Sequence, residues 1–299
     1  MPGPIDLHAH SSVSDGTETP AELVAAGVAA GLGVLAITDH DSTAGWGQAI
    51  AAAEGTGLEL VPGIELSTQL DYASVHILGY LVDPVDAALV AATAAIRSER
   101  LHRAESMVER IAHDYSLSWE DVLAQSTPGA TIGRPHIADA LVARGHVPDR
   151  TAAFQTILHW QGGYYRPHEA PPPVEGVRLI TEAGGVAVIA HPGARGPQRV
   201  LSDSRMRSLV DAGLFGLELD HRDNPPASRA HWTALATRFG LVTTGSSDYH
   251  GAGKPNRLAE NTTSPEAYAA IVARATGSRP FRTGAAGPAG PAGSAAQPG

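Results

Sequence analysis

Two histidines close to the amino terminus have a spacing that favours metal binding. The stretch Ile5-Asp6-Leu7-His8-Ala9-His10 reads as a short strand that runs directly into both imidazoles. Alternate residues of a strand share one face, so we expect His8 and His10 side by side, with Asp6 behind them to orient one ring. A polar strand end would show the same pattern, so the rest of the chain has to decide between the two interpretations.

The rest of the chain places further histidines and carboxylates at the ends of predicted strands. Apolar runs over residues 34–37, 58–65, 185–190 and 241–245 are predicted strands, and each one ends in or runs into such a residue. Two more candidates lie inside a predicted strand over 73–82 and in the first loop. The full set of candidate metal ligands is His8, His10, Asp15, His40, Glu65, His76, His191, Asp248 and His250.

These candidates are too many for one metal ion. A single zinc ion takes three or four protein ligands, and carboxylates and imidazoles brought together without compensation are costly to desolvate. Two or three divalent cations would relieve that cost, with Glu65 bridging two of them. Because the chain has no Cys, thiolate ligands and disulfides are excluded, and any metal must be held by N and O atoms.

Predicted helices separate most of the predicted strands. This alternation predicts an α/β fold in which parallel strands form either a closed barrel or an open doubly wound sheet. No Gly-rich phosphate loop follows the first strand, which disfavours a dinucleotide-binding fold. In a β/α barrel the chemistry lies at the carboxyl ends of the strands, where the candidate ligands recur. The helices are predicted over residues 20–31, 43–53, 174–183, 204–212, 226–239 and 265–275.

A helical block interrupts the alternation and divides the chain. We expect a discontinuous barrel over residues 1–96 and 174–283 and an inserted helical subdomain over 97–173. The last stretch, 284–299, is rich in Gly, Ala and Pro and is expected to be a disordered tail.

Three residues outside the ligand set are candidates for substrate binding. Arg134 and His136 lie at a predicted helix start within the insertion, which is a favourable place for an anion. His221 follows a predicted strand and is expected to face the substrate. Asp41, by contrast, is expected only to cap the helix that follows it.

The overall composition limits the classes of function. The chain has 299 residues, a formal net charge of −10 and a pI of about 5.7, so it lacks the general basic surface with which proteins bind nucleic acid. No segment is long and apolar enough for a transmembrane helix, and no secretory signal opens the chain. We therefore expect a cytoplasmic protein without a membrane partner, and the sequence indicates no particular protein partner.

Six ordered motifs resemble the polymerase and histidinol phosphatase (PHP) family of metal-dependent phosphoesterases. They are DLHAHSSVSDG, AITDHDS, PGIELS, VHILGY, IAHPG and SSDYHG, and the resemblance extends over about residues 4–283. IGRPHIADAL, within the inserted block, is similar to the branch that contains nucleoside 3',5'-bisphosphate phosphatases and 5'-3' exonucleases. The resemblance implies a distorted (β/α)7 TIM-like barrel that carries two or three metal ions.

The resemblance also implies roles for individual residues. Arg134, His136 and His221 would contact the phosphate or the sugar of the substrate, and many relatives have His at the position of Asp15. The implied ligand sets are His8, His10, Glu65 and Asp248 for one ion, Glu65, His76 and His191 for a second, and Asp15, His40 and His250 for a third.

The main functional hypothesis is a phosphoesterase that acts on a small nucleotide, either a nucleoside 3',5'-bisphosphate or a nucleoside monophosphate. A hydroxide held by Mn, Fe or Zn ions would attack phosphorus. One alternative is a 5'-3' exonuclease on short RNA or DNA, and another is a metal-binding module without catalysis. The acidic charge favours the small substrate, because a processive nuclease usually needs a basic track.

Overall fold

Seven strands form one sheet in the described part of the chain, which comprises residues 3–167, 169–194 and 200–282 of a computed structural model. Each strand pairs with the next one along the chain, so the spatial order equals the sequence order. The predicted tail over 284–299 lies outside the described residues. The strands are β1 Ile5–Asp6, β2 Val34–Ile37, β3 Glu59–Leu70, β4 Ala73–Tyr80, β5 Val186–Ile189, β6 Gly216–Asp220 and β7 Val242–Gly245.

The two edges of the sheet approach each other, so the sheet is a nearly closed barrel. Ala9, just beyond β1, forms a parallel bridge with Tyr249, just beyond β7. The backbone N of His10 donates a hydrogen bond of 2.8 Å to the carbonyl oxygen of Tyr249. The predicted α/β fold with a distorted (β/α)7 barrel is confirmed.

One strand departs from the predicted parallel arrangement. Strand β4 runs antiparallel to both of its neighbours, whereas the other pairs are parallel. Asp71 and Tyr72 alone join β3 to β4, with φ angles of +48° and +64°. A turn of two residues can connect only antiparallel strands, and a parallel pair needs a longer crossover. The hairpin brings His76 of β4 opposite Ser67 of β3.

The helices mostly follow their predicted positions. The capping box predicted at the start of the first helix is present, since Thr19 Oγ1 accepts from Glu22 N at 3.2 Å and Glu22 Oε2 accepts from Thr19 N at 2.8 Å. None of the helices in the described ranges combines the length and apolar character needed to cross a bilayer. The helices are α1 Pro20–Ala29, α2 Trp46–Ala53, α3 Ala87–Ile111, α4 Trp119–Leu123, α5 Arg134–Ala143, α6 Arg150–Gln155, α7 Pro173–Glu182, α8 Asp203–Asp211, α9 Pro226–Phe239 and α10 Pro265–Arg274.

The barrel has an inner and an outer layer of apolar side chains, which alternate along each strand. In β2, Val34 and Ala36 belong to the inner cluster, whereas Leu35 and Ile37 pack in the outer one with the surrounding helices. Buried on both faces, such a strand reads as a continuous apolar run, which is why its position could be predicted.

Residues between 104 and 164 form a third apolar cluster of their own. Helix α3 connects it to the barrel, because Ile96 packs in the outer barrel cluster and Met107 in the third. Backbone and side-chain hydrogen bonds hold this helical block against the loop after β1, with Thr131 N donating to Val13 O at 2.9 Å. The helical block therefore lies beside the carboxyl ends of the first strands.

Candidate metal centre

His8 and His10 turn their Nε2 atoms towards each other at a distance of 3.1 Å. His8 Nδ1 donates to Glu218 Oε1 at 3.0 Å, and His10 Nδ1 lies 3.3 Å from Ser14 Oγ. Because Ser14 Oγ donates to Asp39 Oδ1, it accepts from His10. Each ring therefore carries a proton on Nδ1, and its Nε2 faces the centre, where it can hold either a second proton or a cation.

Glu65 lies between two groups of imidazoles. Its Oε2 is 3.2 Å from His10 Nε2 and 3.1 Å from His40 Nδ1. Its Oε1 is 2.9 Å from His76 Nδ1 and 3.1 Å from His191 Nε2. A carboxylate whose two oxygens face different sets of nitrogen atoms is placed to bridge two cations.

A further group of donors lies beside the loop after β1. Asp15 Oδ1 is 3.2 Å from His250 Nε2, and the ligand atoms of Asp15, His40, His250 and His10 all lie within 4.8 Å of one another. Asp15 Oδ1, His40 Nδ1 and His250 Nε2 are buried, and among the described residues they have ion-pair contacts but no well-oriented hydrogen bond. Buried polar atoms without hydrogen bonds are uncommon in folded proteins, and bound cations would satisfy these three.

Asp248 closes the centre on the side of β7. Its Oδ1 is 3.4 Å from both His8 Nε2 and His10 Nε2. Its Oδ2 accepts a hydrogen bond of 2.7 Å from Lys254 Nζ. The φ angle of Asp248 is +53°, a strained conformation for a residue with a side chain and one that is concentrated at functional sites.

The buried charges of the centre depend strongly on one another. Burial raises the pKa of Glu65, but the surrounding imidazoles, His40 foremost, outweigh it and hold the pKa well below its usual range. Burial lowers the pKa of His10, but hydrogen bonds with Asp248 and Glu65 outweigh it and raise the pKa to about 9. The carboxylates thus attract positive charge, which protons or divalent cations can supply. This donor set is that of a divalent-metal centre.

The structure brings all the sequence-predicted ligand residues to one end of the barrel. It does not divide them between individual ions, because His8 and His10 each belong to more than one group of donors. The three ligand sets implied by the resemblance therefore stay a prediction. The residues brought together are His8, His10, Asp15, His40, Glu65, His76, His191, Asp248 and His250.

Glu218, and not Asp6, orients the ring of His8, so the predicted role of Asp6 is wrong. The carboxylate of Asp6 instead accepts hydrogen bonds of 3.0 Å each from Ser247 N and Ala259 N, which fixes the chain after β7. Sequence reasoning misses Glu218. The available signal is a carboxylate between two leucines of a buried strand, because a buried charge there requires a partner.

Asp41 does not cap a helix, so that prediction is wrong too. Helix α2 begins after Gly45 without a side-chain cap. Asp41 is buried, accepts hydrogen bonds of 2.7 Å each from Ser67 N and Ser67 Oγ, and pairs with Arg100 Nε at 2.8 Å. The carboxylate therefore ties the chain after β2 to strand β3 and helix α3.

Arg134 lies in a group of cationic and aromatic side chains at the start of α5. Its guanidinium carbon is 5.2 Å from the ring centroid of Phe154 and 5.5 Å from that of Tyr165, and Arg103 contacts the same tyrosine at 5.3 Å. Burial, together with the charges of Arg134 and Arg100, lowers the pKa of Arg103 to about 9. Guanidinium groups this crowded favour a bound anion. Arg100, Arg103 and Arg134 are called the arginine cluster below.

His136 lies between the helical block and the first loop, and only 3% of it is exposed. Its Nδ1 accepts a hydrogen bond of 3.2 Å from Gly133 N, at the start of α5. Burial lowers the pKa of His136, against the effect of the Asp15 and Asp139 carboxylates. These contacts show that His136 has a structural role at the start of α5. Its contact with substrate stays a prediction.

His221 faces the centre from the end of β6. Its Nδ1 accepts a hydrogen bond of 3.0 Å from Asp223 N, so the proton of the neutral ring is on Nε2. That Nε2 lies 3.7 Å from Asp248 Oδ2 and has no hydrogen-bond partner in the described ranges. In this tautomer His221 presents a donor to the centre and not a lone pair, and its contact with substrate stays a prediction.

Several proteins are similar to the chain over most of its length. The 3',5'-nucleoside bisphosphate phosphatase of Chromobacterium violaceum is 34% identical over 254 residues, covering 85% of this chain and 89% of that protein. The phosphoribosyl 1,2-cyclic phosphate 1,2-diphosphodiesterase of Eggerthella lenta is also 34% identical, covering 82% and 94%. The 5'-3' exoribonuclease Rnm of Salmonella typhimurium is 33% identical, covering 82% and 84%.

The fold comparison and the family model agree with these relatives. The crystal structure of a Bifidobacterium adolescentis protein described as a metal-dependent phosphoesterase superposes with a TM-score of 0.88 and 43% sequence identity, covering 92% of this chain and 97% of that one. The PHP domain model matches residues 6–138. That range contains His8, His10, Glu65 and the beginning of the helical block. The chain belongs to the PHP family.

Proposed function

We propose that the chain is a metal-dependent phosphoesterase that removes phosphate from a small nucleotide, a nucleoside 3',5'-bisphosphate or a nucleoside monophosphate. The observation that carries this proposal is the position of the arginine cluster beside the candidate metal centre. Arg100 connects the two, since it pairs with Asp41 and donates to Ser67 Oγ at 2.6 Å, two residues beyond Glu65 on β3. A bisphosphate can place one phosphate at each group.

The centre would hold two or three divalent ions, Mn, Fe or Zn, on the ligand sets given above, with Glu65 bridging two of them. Nitrogen and oxygen ligands suit each of these metals. The buried atoms of Asp15, His40 and His250, which make no well-oriented hydrogen bond in the described ranges, support this assignment. When bound, such ions supply Lewis acidity that activates water and stabilises negative charge on a phosphoryl group.

The side chains around the centre would position the substrate. Glu218 holds the ring of His8 in the tautomer that leaves Nε2 available. His221 Nε2 would donate to an oxygen of the reacting phosphate. The arginine cluster would hold the phosphate that does not react, and binding energy from such a remote group can be used to place the reacting ester.

We propose that the helical block over residues 97–173 is an inserted subdomain that determines which substrates enter, and that the barrel over 1–96 and 174–283 supplies the metal centre. The separate apolar cluster of the block supports this division. The boundary at residue 97 lies within α3, so the two parts share one continuous helix.

The exonuclease alternative is disfavoured by charge. The chain carries a formal net charge of −10, and a nuclease that tracks along a strand usually has a basic groove. The Chromobacterium violaceum relative, which is named a nucleoside bisphosphate phosphatase, covers more of the chain than the exoribonuclease relative does. The complete set of N and O donors argues against a module without catalysis.

A phosphate-release screen tests the proposal. The purified protein would be supplied in turn with Mn, Fe and Zn, and offered nucleoside 3',5'-bisphosphates, nucleoside monophosphates, a phosphoribosyl cyclic phosphate and short oligonucleotides. We expect kcat/KM to be highest for the bisphosphates. Faster release of mononucleotides from the 5' end of oligonucleotides would support the exonuclease instead, and a preference for the cyclic phosphate would place the chain with the Eggerthella lenta relative.

A further inference from the structure

Lys254 lies at the rim of the candidate metal centre, a position that the metal-ligand chemistry does not explain. It follows a short 3-10 turn, Gly251–Gly253, after His250. Its side chain is 38% exposed, yet its Nζ donates a hydrogen bond of 2.7 Å to the buried Oδ2 of Asp248. The ammonium group therefore reaches inward from the solvent side of the mouth.

The two oxygens of Asp248 have different surroundings. Oδ1 lies 3.4 Å from His8 Nε2, His10 Nε2 and His250 Nδ1, on the side where ions would bind. Oδ2 faces Lys254 and, at 3.7 Å, the Nε2 of His221. An ion held by Oδ1 would leave the Lys254 pair intact, so Lys254 would stay at the mouth of the loaded enzyme.

The charges of the loaded centre do not require Lys254 either. Asp15, Glu65, Asp248 and Glu218 bring four negative charges to the centre, and two or three divalent ions would bring four to six positive ones. The centre is then neutral or positive before Lys254 is counted. A further cation at the mouth is favourable when an anion binds there, and a phosphate ester supplies that charge.

The backbone around Lys254 is held in place. Gly253 N donates to His250 O at 3.1 Å, Ala252 N to Thr17 Oγ1 at 2.8 Å, and Asn256 Nδ2 to Ser247 O at 2.7 Å.

An ammonium group has three donors, and the hydrogen bond to Asp248 uses only one of them. We propose that Lys254 is a substrate-binding residue that donates to an oxygen of the reacting phosphate, beside His221. This inference rests on the phosphoesterase function proposed above.

The test compares the wild-type holoenzyme with Lys254→Met and Lys254→Arg. Three quantities are measured: metal content by elemental analysis, the Kd of inorganic phosphate by titration calorimetry, and kcat/KM on a bisphosphate and on an aryl phosphate. Loss of one charge-assisted hydrogen bond should raise the phosphate Kd by about tenfold to a hundredfold. For Lys254→Met, kcat/KM should fall by a similar factor on both substrates, because both carry the reacting phosphate, while metal content stays at the wild-type value. Lys254→Arg keeps the charge and should recover part of the loss.

Arg257→Ala is the matched control, since this arginine lies three residues further along the same loop with its side chain 83% exposed. It should change none of the three quantities by more than about twofold, the scale of surface electrostatic effects. A fall in metal content with an unchanged phosphate Kd would overturn the proposal and make Lys254 a support for Asp248. Wild-type kinetics in Lys254→Met would overturn it as well. If the wild type hydrolyses no ester but binds phosphate through Lys254, the binding role stands and the proposed function fails.

Discussion

The Nδ1 atom of His8 lies 3.0 Å from Oε1 of Glu218, although 210 residues separate the two in the chain. The other oxygen of Glu218 accepts a hydrogen bond of 2.8 Å from the backbone N of His191. One buried carboxylate on β6 therefore fixes the ring of one candidate ligand and the backbone of another. Partners of this kind set the tautomer of a ligating imidazole and raise its basicity.

Glu218→Gln should weaken metal binding without preventing folding. The amide keeps the shape of the side chain but removes the charge that supports His8, and loss of such a partner typically costs about tenfold to a hundredfold in metal affinity. Competitive titration of the purified variant with Zn or Mn measures the change. Glu59→Gln is the control, because Glu59 is the first residue of β3, away from the metal centre, and pairs with Arg282 and Tyr268. Equal affinities in Glu218→Gln and wild type would show that the carboxylate has only a structural part.

The protein should carry at least two divalent metal ions per chain and should lose phosphatase activity on chelation. The reason is that the donors around Glu65 and those around Asp15, which share His40, are too many for a single ion. Elemental analysis after dialysis gives the metal content. Phosphatase activity measured with and without a chelator shows whether catalysis depends on that metal. One metal or none, with activity intact in chelator, would contradict the assignment.

Glu65→Gln and Asp41→Asn should damage different properties. Glu65→Gln should lower metal content and activity, because its two oxygens face different groups of imidazoles. Asp41→Asn should mainly lower the free energy of unfolding, by about 3 kcal/mol, because it breaks the buried pair with Arg100 while Asn still accepts a hydrogen bond. Metal content and thermal unfolding of both variants distinguish the two effects, and equal metal losses would show that Asp41 belongs to the centre.

The sequence is sufficient to predict that most of the candidate metal ligands lie together, because they end or follow short apolar runs; His76, inside a strand, and Asp15, in the first loop, do not. Those runs are strands buried on both faces, and the carboxyl ends of barrel strands converge. His8, His40, His191 and His250 could therefore be assigned to one site without knowledge of the contacts. The strand and helix positions follow from the same patterns: Thr19 caps the start of α1, and Gly240 caps the end of α9.

The parts that sequence does not predict depend on pairings between distant segments. The antiparallel β4 follows from a two-residue turn whose residues, Asp71 and Tyr72, are not the usual Asn-Gly pair. The partners of Glu218 and Asp41, which are His8 and Arg100, become known only once β6 and α3 bring them together. A local pattern cannot contain that information, because the spacing along the chain sets no distance between such residues.

Arg134 lies in the helical block, at the start of α5, and not in the barrel. Arg134→Ala should reduce kcat/KM for a nucleoside 3',5'-bisphosphate by about 1.5 to 3 kcal/mol in transition-state binding, the worth of a charge-assisted hydrogen bond. An aryl phosphate has no second phosphate, so its hydrolysis should barely change, and metal content should stay the same. The other members of the arginine cluster, Arg100 and Arg103, would still bind the phosphate that does not react. The loss of kcat/KM should therefore not exceed this range.

Arg144→Ala is the matched control, because Arg144 lies at the other end of α5 and its exposed guanidinium pairs with Asp121. Both variants remove one arginine from the same helix, so a general effect on the helical block would appear in both. A loss confined to Arg134→Ala and to the bisphosphate would place the second phosphate at the arginine cluster. A similar loss of kcat/KM on the aryl phosphate would instead place Arg134 at the reacting phosphate. No loss on either substrate would show that Arg134 is a structural residue packed on Phe154 and Tyr165.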